Sequence, residues 1–518
     1  NNILEGKIPF EINDQFKKAI DLLESGKNLI LTGRAGTGKS TFLNYFCQNT
    51  KKQFVLLAPT GVAAVNIGGQ TIHSFCKFKP GVTFDEARNS GKKSQKNKMY
   101  QHLQILIIDE ISMVRCDLLD CIDIFLRTAR KNNLPFGGVQ TFFVGDLYQL
   151  PPVVTSNETK TIDVIYETPY FFSSKVMQGF SSEFIEFEKI YRQKDQYFIE
   201  LLNGIRNKTI SDEMLEALNS RFMPDFDENK HPEYIYLASR NAQAEMLNEK
   251  NLNYLPGKVQ LYPASVEGNF SSEFFPASAN LTLKKDARVM LLNNDSKGRW
   301  INGSLGWVKK MEQDFINVAL DQGGKFDVYP YLWEIYEGFF DEREKTIKRR
   351  TIGSFLQIPV QLAWAITIHK SQGKTFDKAI VDIGKGTFTP GQVYVALSRC
   401  RSLDGLVLKK RIEKKHIWLD RRVVKFITQY QYQRSEQNFS FEDKACLVKK
   451  AIKEKRRMNI VYLKASDEKS RRVILPKRIY ETEYNGYAFT AVDAYCFLRK
   501  QKRVFNLKRI LEMRIIDS

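Results

Sequence analysis

The stretch that decides the fold reads Asn28-Leu29-Ile30-Leu31-Thr32-Gly33-Arg34-Ala35-Gly36-Thr37-Gly38-Lys39-Ser40. From Gly33 onward it matches the pattern G-x-x-x-x-G-K-[ST], and the apolar residues before it predict a buried strand. Glycines in this pattern let backbone N–H groups turn toward phosphates at the N-terminus of the following helix. The stretch therefore predicts a strand, a phosphate-binding loop and a helix. Lys39 would reach the β- and γ-phosphates of ATP, and the Ser40 hydroxyl would ligate Mg²⁺.

Two further features belong to this predicted nucleotide site. The residues expected to cradle the phosphates are Gly33, Gly36, Thr37, Gly38, Lys39, Ser40 and Thr41. Upstream, Asn13-Asp14-Gln15 precedes a predicted helix, and the Gln15 amide could read the edge of an adenine. A helix cap explains this second group equally well, because Asn and Asp are favoured at the N-cap.

A pair of carboxylates follows another apolar run. Ile105-Leu106-Ile107-Ile108 leads directly into Asp109 and Glu110, and α/β sheets bind their ligands at the carboxyl ends of strands. We expect Asp109 to hold Mg²⁺ and Glu110 to polarise the attacking water, which indicates a nucleotide hydrolase rather than a small-molecule kinase. Gln149, in the loop after the next apolar run, would sense the γ-phosphate.

Short apolar runs alternate with longer amphipathic segments, the pattern of a doubly wound parallel sheet. One series of runs is 28–31, 54–58, 105–108 and 141–144, and a second is 234–237, 360–365, 379–381 and 405–408. We therefore predict an α/β fold with two such domains. Residues 300–354 predict a small β-barrel inserted in the second domain. The polar stretch 91–98 predicts an exposed loop in an insertion near 77–100 of the first domain.

Charge and composition favour a polyanionic partner. The 518 residues carry 79 Lys and Arg against 59 Asp and Glu, a net charge of +20. This excess suits contacts to a nucleic-acid backbone, although a solvated basic surface explains it too. The seven cysteines include no Cys-x-x-Cys pair, so neither a zinc knuckle nor a disulfide framework is indicated. No apolar run approaches the roughly 18 residues of a membrane span, and residues 1–10 lack a signal-peptide pattern, so we expect a cytoplasmic enzyme.

Several blocks together resemble the PIF-one (petite integration frequency) DNA helicases of superfamily 1B, of the bacterial type with a C-terminal WYL domain. Besides the phosphate-binding loop and the Asp109-Glu110 pair, the blocks are Ala58-Pro59-Thr60-Gly61-Val62-Ala63-Ala64, Thr71-Ile72-His73-Ser74-Phe75, Pro135-Phe136-Gly137-Gly138-Val139-Gln140, Tyr191-Arg192-Gln193, Asn302-Gly303-Ser304-Leu305-Gly306, Trp364 to Gly373, and Tyr394 to Arg399. They follow the order of the family over residues 12–426.

This resemblance implies an ATP-dependent DNA helicase with two RecA-like domains and ATP at their interface. Arg192 and Arg399 would act as arginine fingers on the γ-phosphate, a role for which a planar and permanently charged guanidinium is suited. Gly373 would lie beside the γ-phosphate. The inserted barrel would be the SH3-like domain of such helicases, and movement in the family is from 5′ to 3′.

The resemblance also assigns contacts to single-stranded DNA. They carry over to Thr60, His73, Phe75, His369, Lys370 and Ser371. This set mixes phosphate donors with a stacking ring, as strand tracking without sequence preference requires. For His73 and His369 the alternative is a satisfied core histidine.

The C-terminal residues resemble a WYL domain. Residues 447–518 contain 19 Lys and Arg against 8 Asp and Glu, and Tyr487-Ala488-Phe489 stands where the naming tripeptide Trp-Tyr-Leu would be. The residues that could form a basic, aromatic groove for single strands are Tyr462, Arg472, Tyr487, Arg503 and Arg509. The alternative is a basic structural domain whose aromatic residues form its core.

These inferences together define expected boundaries, partners and rival functions. The first RecA-like domain would span 1–180, the second 181–299 with 355–430, the SH3-like insertion 300–354, a linker 431–446 and the WYL domain 447–518. Expected partners are single-stranded DNA and forked or 5′-tailed duplex DNA, with G-quadruplexes or RNA–DNA hybrids as further candidates, bound by a monomer at the bacterial nucleoid. Two rivals stay open: a nucleic-acid-binding regulator that uses ATP as a conformational switch, and a translocase that strips proteins from single strands.

Overall fold

The computed structural model describes residues 13–149, 151–154, 156–191, 193, 195–384, 389–464, 469–484 and 486–516. The chain divides into two compact units. The first unit contains Asn1–Leu202 and Ser211–Trp418, and the second contains Asn203–Ile210 and Leu419–Ser518. The nucleotide site expected from the sequence therefore lies within the first unit, and the WYL-like segment lies within the second.

A parallel sheet forms the first RecA-like domain. Its strands are β1 (Leu29–Gly33), β2 (Phe54–Ala58), β3 (Gln70–Thr71), β4 (Ile105–Ile108), β5 (Gln140–Val144) and β6 (Glu183–Phe187), in the order β3-β2-β4-β5-β1-β6. Neighbouring strands all run in the same direction. Their carboxyl ends therefore meet at one edge of the sheet, where the phosphate-binding loop and the Asp109-Glu110 pair begin.

This domain extends beyond its expected end at residue 180. β6 pairs with β1 from Leu29↔Glu183 to Gly33↔Phe187. The strand reads Glu-Phe-Ile-Glu-Phe, and its two glutamates are only partly buried. Because it lacks the continuous apolar run of the central strands, it did not stand out in the sequence.

Helices alternate with these strands and bury aromatic side chains against them. They are α1 (Asp14–Glu24), α2 (Lys39–Asn49), α3 (Gly61–Asn66), α4 (Ile72–Cys76), α5 (Phe84–Ser94), α6 (Lys98–His102), α7 (Cys116–Arg130) and α8 (Ser156–Ile165). Phe16 of α1 and Phe42 of α2 pack on Phe187 of β6, with ring centroids 4.4 and 5.5 Å away. These contacts hold the first two helices beside the loop that joins β1 to α2.

The exposed loop expected over 91–98 is wrong for its first half. α5 starts with a capping box between Thr83 and Glu86 and continues to Ser94. Gly91 and Ser94 are buried, and a Cβ added to Gly91 would lie 2.8 Å from the Phe125 carbonyl oxygen. The lysines in this stretch concealed a helix because its buried contacts are made by small residues rather than by large apolar ones.

The remaining elements of the first unit complete a second parallel sheet and an antiparallel β region. The strands are β7 (Ile235–Ala238), β8 (Gln260–Pro263), β9 (Ser265–Gly268), β10 (Asn280–Leu283), β11 (Arg288–Leu291), β12 (Leu305–Met311), β13 (Ile316–Leu320), β14 (Lys325–Val328), β15 (Tyr331–Asp341), β16 (Thr346–Gln357), β17 (Val360–Leu362), β18 (Ala365–Thr367), β19 (Ala379–Asp382) and β20 (Leu406–Leu408). The helices are α9 (Gln196–Arg206), whose last four residues belong to the second unit, α10 (Asp212–Asn219), α11 (Asn241–Tyr254) and α12 (Gln392–Leu397).

The second RecA-like sheet has the order β18-β7-β19-β20 and is parallel throughout. The apolar run 360–365 was expected to be one of its strands. Instead β17 pairs with β11 of the antiparallel region, and only β18, which begins at Ala365, joins the RecA-like sheet. One continuous apolar run thus contributes strands to two sheets, and apolar periodicity alone does not indicate which sheet each part of a run will join.

The inserted β region is wider than the expected 300–354. Its main sheet has the order β14-β13-β12-β11-β17, and β9 pairs with β16 of the long hairpin β15-β16. The region therefore starts at β8 and ends at β17. Strands on both flanks of 300–354 complete its sheets, and their short length hid them among the segments assigned to the second RecA-like domain.

The second unit places two helices before an antiparallel sheet. They are α13 (Arg421–Asn438) and α14 (Phe441–Lys453), followed by β21 (Arg457–Leu463), β22 (Lys469–Tyr484), β23 (Tyr487–Cys496), β24 (Gln501–Asn506) and β25 (Ile510–Ile516), in the order β24-β23-β22-β21-β25. The linker expected at 431–446 is instead helical, apart from the turn where Ser440 caps α14. Among the described residues, no helix is long and apolar enough to cross a membrane.

Candidate nucleotide and single-strand site

The phosphate-binding loop connects β1 to α2. Gly36 and Gly38 have φ angles of 79° and 86°, in the left-handed region that glycine adopts without a steric cost. The Lys39 amine donates hydrogen bonds to the carbonyl oxygens of Gly33 at 2.7 Å and Arg34 at 3.0 Å. The amine therefore lies inside the loop, where this motif binds phosphates.

The hydroxyls around the loop have different surroundings. Thr37 is buried, and its hydroxyl donates to the Arg34 carbonyl oxygen at 2.9 Å. Ser40 and Thr41 are exposed in the first turn of α2. Thr37 thus shapes the loop, whereas the side chains of Ser40 and Thr41 lie open at the helix N-terminus, where anions are favoured.

The two carboxylates lie at the carboxyl end of β4. Burial raises the pKa of Asp109 to about 6, while the Lys39 charge lowers it. Burial and the Asp109 charge raise the pKa of Glu110 to about 7, while Lys39 and Arg399 lower it. Glu110 has a φ of 50°, which is uncommon outside glycine. The carboxylates, the loop amine and Arg399 therefore form one electrostatic group.

Gln149 links the loop after β5 to the second RecA-like domain. Its Nε2 donates to Asp146 Oδ2 at 3.0 Å, and its Oε1 accepts from Gln372 Nε2 at 3.4 Å. A Cβ added to Gly391 would lie 2.4 Å from the Tyr148 carbonyl oxygen. Only glycine therefore lets the backbone at Gly391 approach the backbone at Tyr148 so closely. Gln149 is therefore held between the domains, as a sensor of the bound nucleotide would need to be.

Arg399 is 1% exposed and follows α12 in the second RecA-like domain. Its guanidinium donates to the Val395 carbonyl oxygen at 2.9 Å, the Ser398 hydroxyl at 2.9 Å and the Ser371 carbonyl oxygen at 3.3 Å. These bonds fix its position beside the loop that contains Gly373. Gly373 has a φ of 76°, and a Cβ added there would meet open space.

Arg192, the other expected arginine finger, lies outside the described residues. Its neighbours connect the two domains: the Tyr191 N–H donates to the Gly36 carbonyl oxygen at 2.8 Å, and Gln193 Nε2 donates to the Ser398 carbonyl oxygen at 3.1 Å. Tyr191 thus contacts the phosphate-binding loop, and Gln193 contacts the end of α12.

Gln15 is anchored to β6 and its continuation rather than capping α1. Its Nε2 donates to the Glu186 carbonyl oxygen at 2.8 Å, and its Oε1 accepts from the Glu188 N–H at 3.1 Å. The cap is Asn13, whose side-chain oxygen accepts from the Phe16 N–H at 2.9 Å. The Gln15 amide keeps one further donor and one further lone pair, so contact with an adenine stays a prediction.

The residues expected to bind DNA fall into two groups. Thr60, His369 and Lys370 are exposed, and the Thr60 hydroxyl caps α3 by accepting from the Ala63 N–H at 3.3 Å. His73 is half-buried, and burial lowers its pKa. A neutral imidazole at this position can still donate one hydrogen bond.

Two of the expected DNA contacts are wrong as side-chain contacts. Phe75 is 2% exposed and packs against Tyr100 and Phe125, with centroids 5.3 and 6.2 Å away. Ser371 is 0% exposed, and its hydroxyl donates to the Ile368 carbonyl oxygen at 2.6 Å. Each belongs to a block that resembles the family, but its side chain faces the core.

The WYL-like residues whose side chains the structure describes have different surroundings. Arg472 is 6% exposed and lies over the Phe505 ring at 5.8 Å, and the Tyr462 ring packs edge-on against the same phenylalanine at 5.2 Å. Arg503 is exposed on β24, and Arg509 lines a separate cavity. The Tyr487 side chain lies outside the described residues. The core alternative therefore fits Arg472 and, in part, the half-buried Tyr462. Binding of single strands by the remaining groove residues stays a prediction.

Comparison with known proteins identifies the families that this chain matches. Residues 11–216 match the family model of the PIF1-like helicase, and residues 446–515 match that of the WYL domain. The ATP-dependent DNA helicase Pif1 of Bdellovibrio bacteriovorus is 31% identical over 444 residues, which cover 83% of this chain and 95% of that protein. The chain belongs to the Pif1 helicase family. It is an ATP-dependent DNA helicase, an enzyme with ATPase and helicase activity.

Other Pif1 helicases match the motor over most of this chain. Human PIF1 is 33% identical, over 76% of this chain and 60% of its own length. Bacteroides Pif1 in complex with ADP-AlF4 is 36% identical with a TM-score of 0.76, over 82% of this chain and 98% of that one. Candida albicans Pif1 is 31% identical with a TM-score of 0.62, over 81% and 99%. The two solved Pif1 chains are thus matched almost completely, whereas the match covers about four fifths of this chain.

Three residues take part in this Pif1 site although the motif assignments gave them no role. The Ala35 N–H donates to the Tyr394 hydroxyl at 3.1 Å, and the Tyr191 hydroxyl accepts from Asn13 Nδ2 at 3.0 Å. Asp146 is buried and accepts from Gln149. Tyr191 and Tyr394 lie inside blocks that resemble the family, and Asp146 lies three residues before Gln149. Their proximity in the sequence to residues with assigned roles is the signal that could have identified them.

Proposed function

We propose that this Pif1 helicase moves from 5′ to 3′ along single-stranded DNA, driven by Mg²⁺-dependent ATP hydrolysis, and opens duplexes that carry a 5′ single-stranded tail. The supporting observation is that the two domains meet at the phosphate-binding loop, where the Ala35 N–H donates to the Tyr394 hydroxyl at 3.1 Å and Gln149 accepts from Gln372 at 3.4 Å. Lys39 and Glu110 belong to the first RecA-like domain, and Arg399 belongs to the second. A nucleotide between them would couple hydrolysis to movement of one domain against the other.

Each residue of the nucleotide site has a role in this proposal. Lys39 binds the β- and γ-phosphates, Glu110 accepts a proton from the attacking water, and Gln149 senses the γ-phosphate. Arg399, together with Arg192, stabilises the charge that develops on the transferred phosphoryl group. Gly373 leaves space beside Arg399 for the γ-phosphate, and Gln15 contacts the adenine.

The proposed Mg²⁺ ligands fit a hard cation. Ser40 offers a hydroxyl at the exposed N-terminus of α2, and Asp109 offers a carboxylate at the end of β4. Mg²⁺ is bound in such sites by one or two protein oxygens together with phosphate oxygens. The ion would neutralise phosphate charge, while Lys39 and Arg399 would orient the γ-phosphate.

The proposed track for the strand contains Thr60 and His73 from the first domain and His369 and Lys370 from the second. Lys370 and His369 lie in the chain segment just before Gly373, so nucleotide binding and strand contact share one loop. Support comes from relatives, since Bacteroides Pif1 has been solved bound to single-stranded DNA at 35% identity and a TM-score of 0.58. A further solved structure, 36% identical with a TM-score of 0.58, concerns DNA unwinding at forked double-stranded DNA by two coordinating Pif1 helicases.

We further propose that the WYL-containing unit increases affinity for single strands. A truncation that ends at Trp418 tests this role, because a cut near Phe426 would divide α13. Solved Pif1 chains that match 82% of this one support a motor that folds without the tail. Weaker binding of oligothymidine at matched salt, with ATP hydrolysis retained, is expected; unchanged affinity would contradict the role.

Unwinding of duplexes with either a 5′ or a 3′ single-stranded tail, in the presence of ATP and Mg²⁺, tests the direction of movement. Lys39→Ala serves as the blank because it removes the amine from the phosphate-binding loop. Opening of the 5′-tailed duplex alone is expected. Opening of the 3′-tailed duplex would reverse the proposed direction, and DNA-stimulated hydrolysis without opening of either would favour the translocase or switch.

A further inference from the structure

The second unit contains a cavity of about 430 Å³ between α13 and the turn Leu507–Arg509. That volume lies within the range of small-ligand sites, roughly 300 to 1,000 Å³. The α13 residues precede the segment 446–515 that matches the WYL family. The cavity is therefore distinct from the groove expected on the WYL strands, with which it shares only Arg509.

One wall is a single stripe of α13. Its residues are Arg421, Val424, Lys425, Thr428 and Tyr432. Their spacing of three, four or seven positions places them on one face of the helix. At 1.5 Å per residue the stripe is about 16 Å long from Arg421 to Tyr432. It therefore offers a wall longer than one nucleotide, with cationic side chains at one end and an aromatic ring at the other.

The charge of the cavity favours an anion. Arg421, Lys425, Lys508 and Arg509 line it, and none of the other described lining residues is a carboxylate. In the part of the chain that the structure describes, Arg421 and Arg509 have no hydrogen-bond or ion-pair partner, and Lys508 lies 3.9 Å from Glu436. Arg421 also occupies the first turn of α13, where the helix dipole disfavours a cation. A bound anion would pair with the Arg421 and Arg509 guanidinium groups. It would also offset the unfavourable interaction between Arg421 and the dipole of α13.

The stripe also contains a polar group without a partner. The Thr428 hydroxyl oxygen is buried and makes no hydrogen bond, although a threonine within a helix commonly bonds the carbonyl four residues earlier. Leaving such a group unsatisfied is unfavourable. Because the Thr428 side chain lines the cavity, rotation of its hydroxyl toward the cavity would let a ligand supply the missing partner. The Tyr432 ring, which also lines the cavity, offers a face on which a base can stack.

We propose that this cavity binds a nucleotide ligand, with phosphates against Arg421, Lys425 and the Lys508-Arg509 turn and a base against Tyr432. The charges of Arg421 and Arg509 alone exceed the single charge of one phosphodiester, so the ligand carries more than one phosphate. It is either a few consecutive nucleotides of single-stranded DNA or a free nucleoside polyphosphate. The inference rests on the proposed role of the second unit in nucleic-acid binding.

The first test measures the affinity of the full-length chain for fluorescent oligothymidine over a range of salt concentrations. Lys425→Gln removes a cavity charge, Lys449→Gln removes a charge from an exposed position of α14 as the matched control, and Thr428→Phe fills the cavity without changing charge. For Lys425→Gln the slope of log K against log salt should become shallower by about 0.7. Thr428→Phe should weaken binding at least about fivefold through loss of stacking and phosphate contacts. Lys449→Gln should leave both quantities unchanged.

The second test distinguishes the two sources of the ligand. An oligonucleotide containing 4-thiothymidine is crosslinked to the full-length chain, and the crosslinked peptides are mapped with and without excess dTTP. Crosslinks within 419–432 or 506–509 that survive dTTP assign the cavity to DNA, and crosslinks there that dTTP removes assign it to a nucleoside polyphosphate. Wild-type affinity of Lys425→Gln and Thr428→Phe, with crosslinks only elsewhere, would overturn the cavity site. If removal of 419–518 still weakened binding, that result would leave the role of the unit intact.

Discussion

Glu110 illustrates how burial and neighbouring charges prepare a side chain for chemistry. Its backbone lies in the left-handed region, and its carboxyl follows directly after Asp109. Burial and the Asp109 charge raise the pKa of Glu110 to about 7. A general base works best when its pKa lies near the working pH. The sequence placed the carboxylate at the end of a strand, and the fold supplies the environment that tunes it.

Glu110→Gln is therefore expected to lower DNA-stimulated ATP hydrolysis by about 10²- to 10⁴-fold, the usual contribution of a general base. Affinity for single strands should stay close to that of the wild type, because Glu110 makes no expected DNA contact. Steady-state hydrolysis and fluorescence anisotropy check the two halves of this prediction. Lys39→Ala is the comparison, since it should impair nucleotide binding as well. A full hydrolysis rate in Glu110→Gln would remove Glu110 from the role of base.

Lys374 offers a pH-dependent test near the same loop. Its amine donates to Asn302 Oδ1 at 2.7 Å, and burial lowers the pKa of Lys374 to about 8. The folded chain then binds fewer protons at Lys374 than the unfolded chain does between pH 8 and the ordinary lysine pKa of about 10.4. The Lys374 contribution to stability therefore becomes more favourable as the pH rises through this window.

The melting temperature of wild type relative to Lys374→Met should thus increase between about pH 7 and about pH 9.5, and scanning calorimetry measures it. Lys370→Met, which changes an exposed lysine of the same loop, should show no such trend relative to wild type. A flat difference for both variants would show that Lys374 titrates as it does in water.

At the level of elements, the long hairpin β15-β16 reaches from the inserted β region to the first RecA-like domain. The Phe340 ring stacks on His102 at 4.0 Å, Lys98 pairs with Glu342 at 2.6 Å, and the Ile347 N–H donates to the Gln53 side chain at 2.5 Å. The inner end of the same hairpin is held by β9. The two ends are therefore stabilised by different contacts.

Phe340→Ala should release the outer end of the hairpin without affecting the inner end. An aromatic pair contributes about 0.5 to 1.5 kcal/mol, so amide exchange over 337–348 should accelerate by about 2- to 12-fold while 353–356 stays protected. Hydrogen-exchange mass spectrometry measures both segments. Arg343→Ala, at the exposed tip, is the control and should change neither. Unchanged exchange in Phe340→Ala would mean that the stacking does not hold the hairpin.

At the level of the whole molecule, positive charge is concentrated toward the C-terminus. Residues 447–518 supply 19 − 8 = 11 of the net +20 charges. Backbone binding to nucleic acid depends on salt through the number of phosphates that are neutralised. The WYL-containing unit should therefore steepen the salt dependence of single-strand binding by the full chain.

A truncation that ends at Trp418 should bind oligothymidine with a shallower slope of log K against log salt than the full chain. Each lost phosphate contact should reduce the slope by about 0.7. Titrations at several salt concentrations measure the difference, and ATP hydrolysis confirms that the truncated motor is intact. Equal slopes would show that the tail charges make no phosphate contacts.

The sequence by itself determined the local chemistry of this protein. The phosphate-binding loop, the carboxylates after β4 and the two α/β series could be predicted because their signals lie within a few neighbouring residues: glycines that permit a tight turn, and apolar runs that end in polar side chains. The motif blocks, which follow the order of the Pif1 helicases, predicted the family. The family model and the relatives confirm that prediction.

Only the tertiary structure decided which side chains face the core and which strands share a sheet. Phe75, Ser371 and Arg472 were assigned to DNA from their motifs, yet their side chains are buried. Tyr462 is half-buried against Phe505, and the single run 360–365 was divided between two sheets. The stripe of α13 gained its partner wall from residues about 75 positions later in the chain. These outcomes depend on contacts between distant segments, which form only when the chain is folded, so no local pattern could encode them.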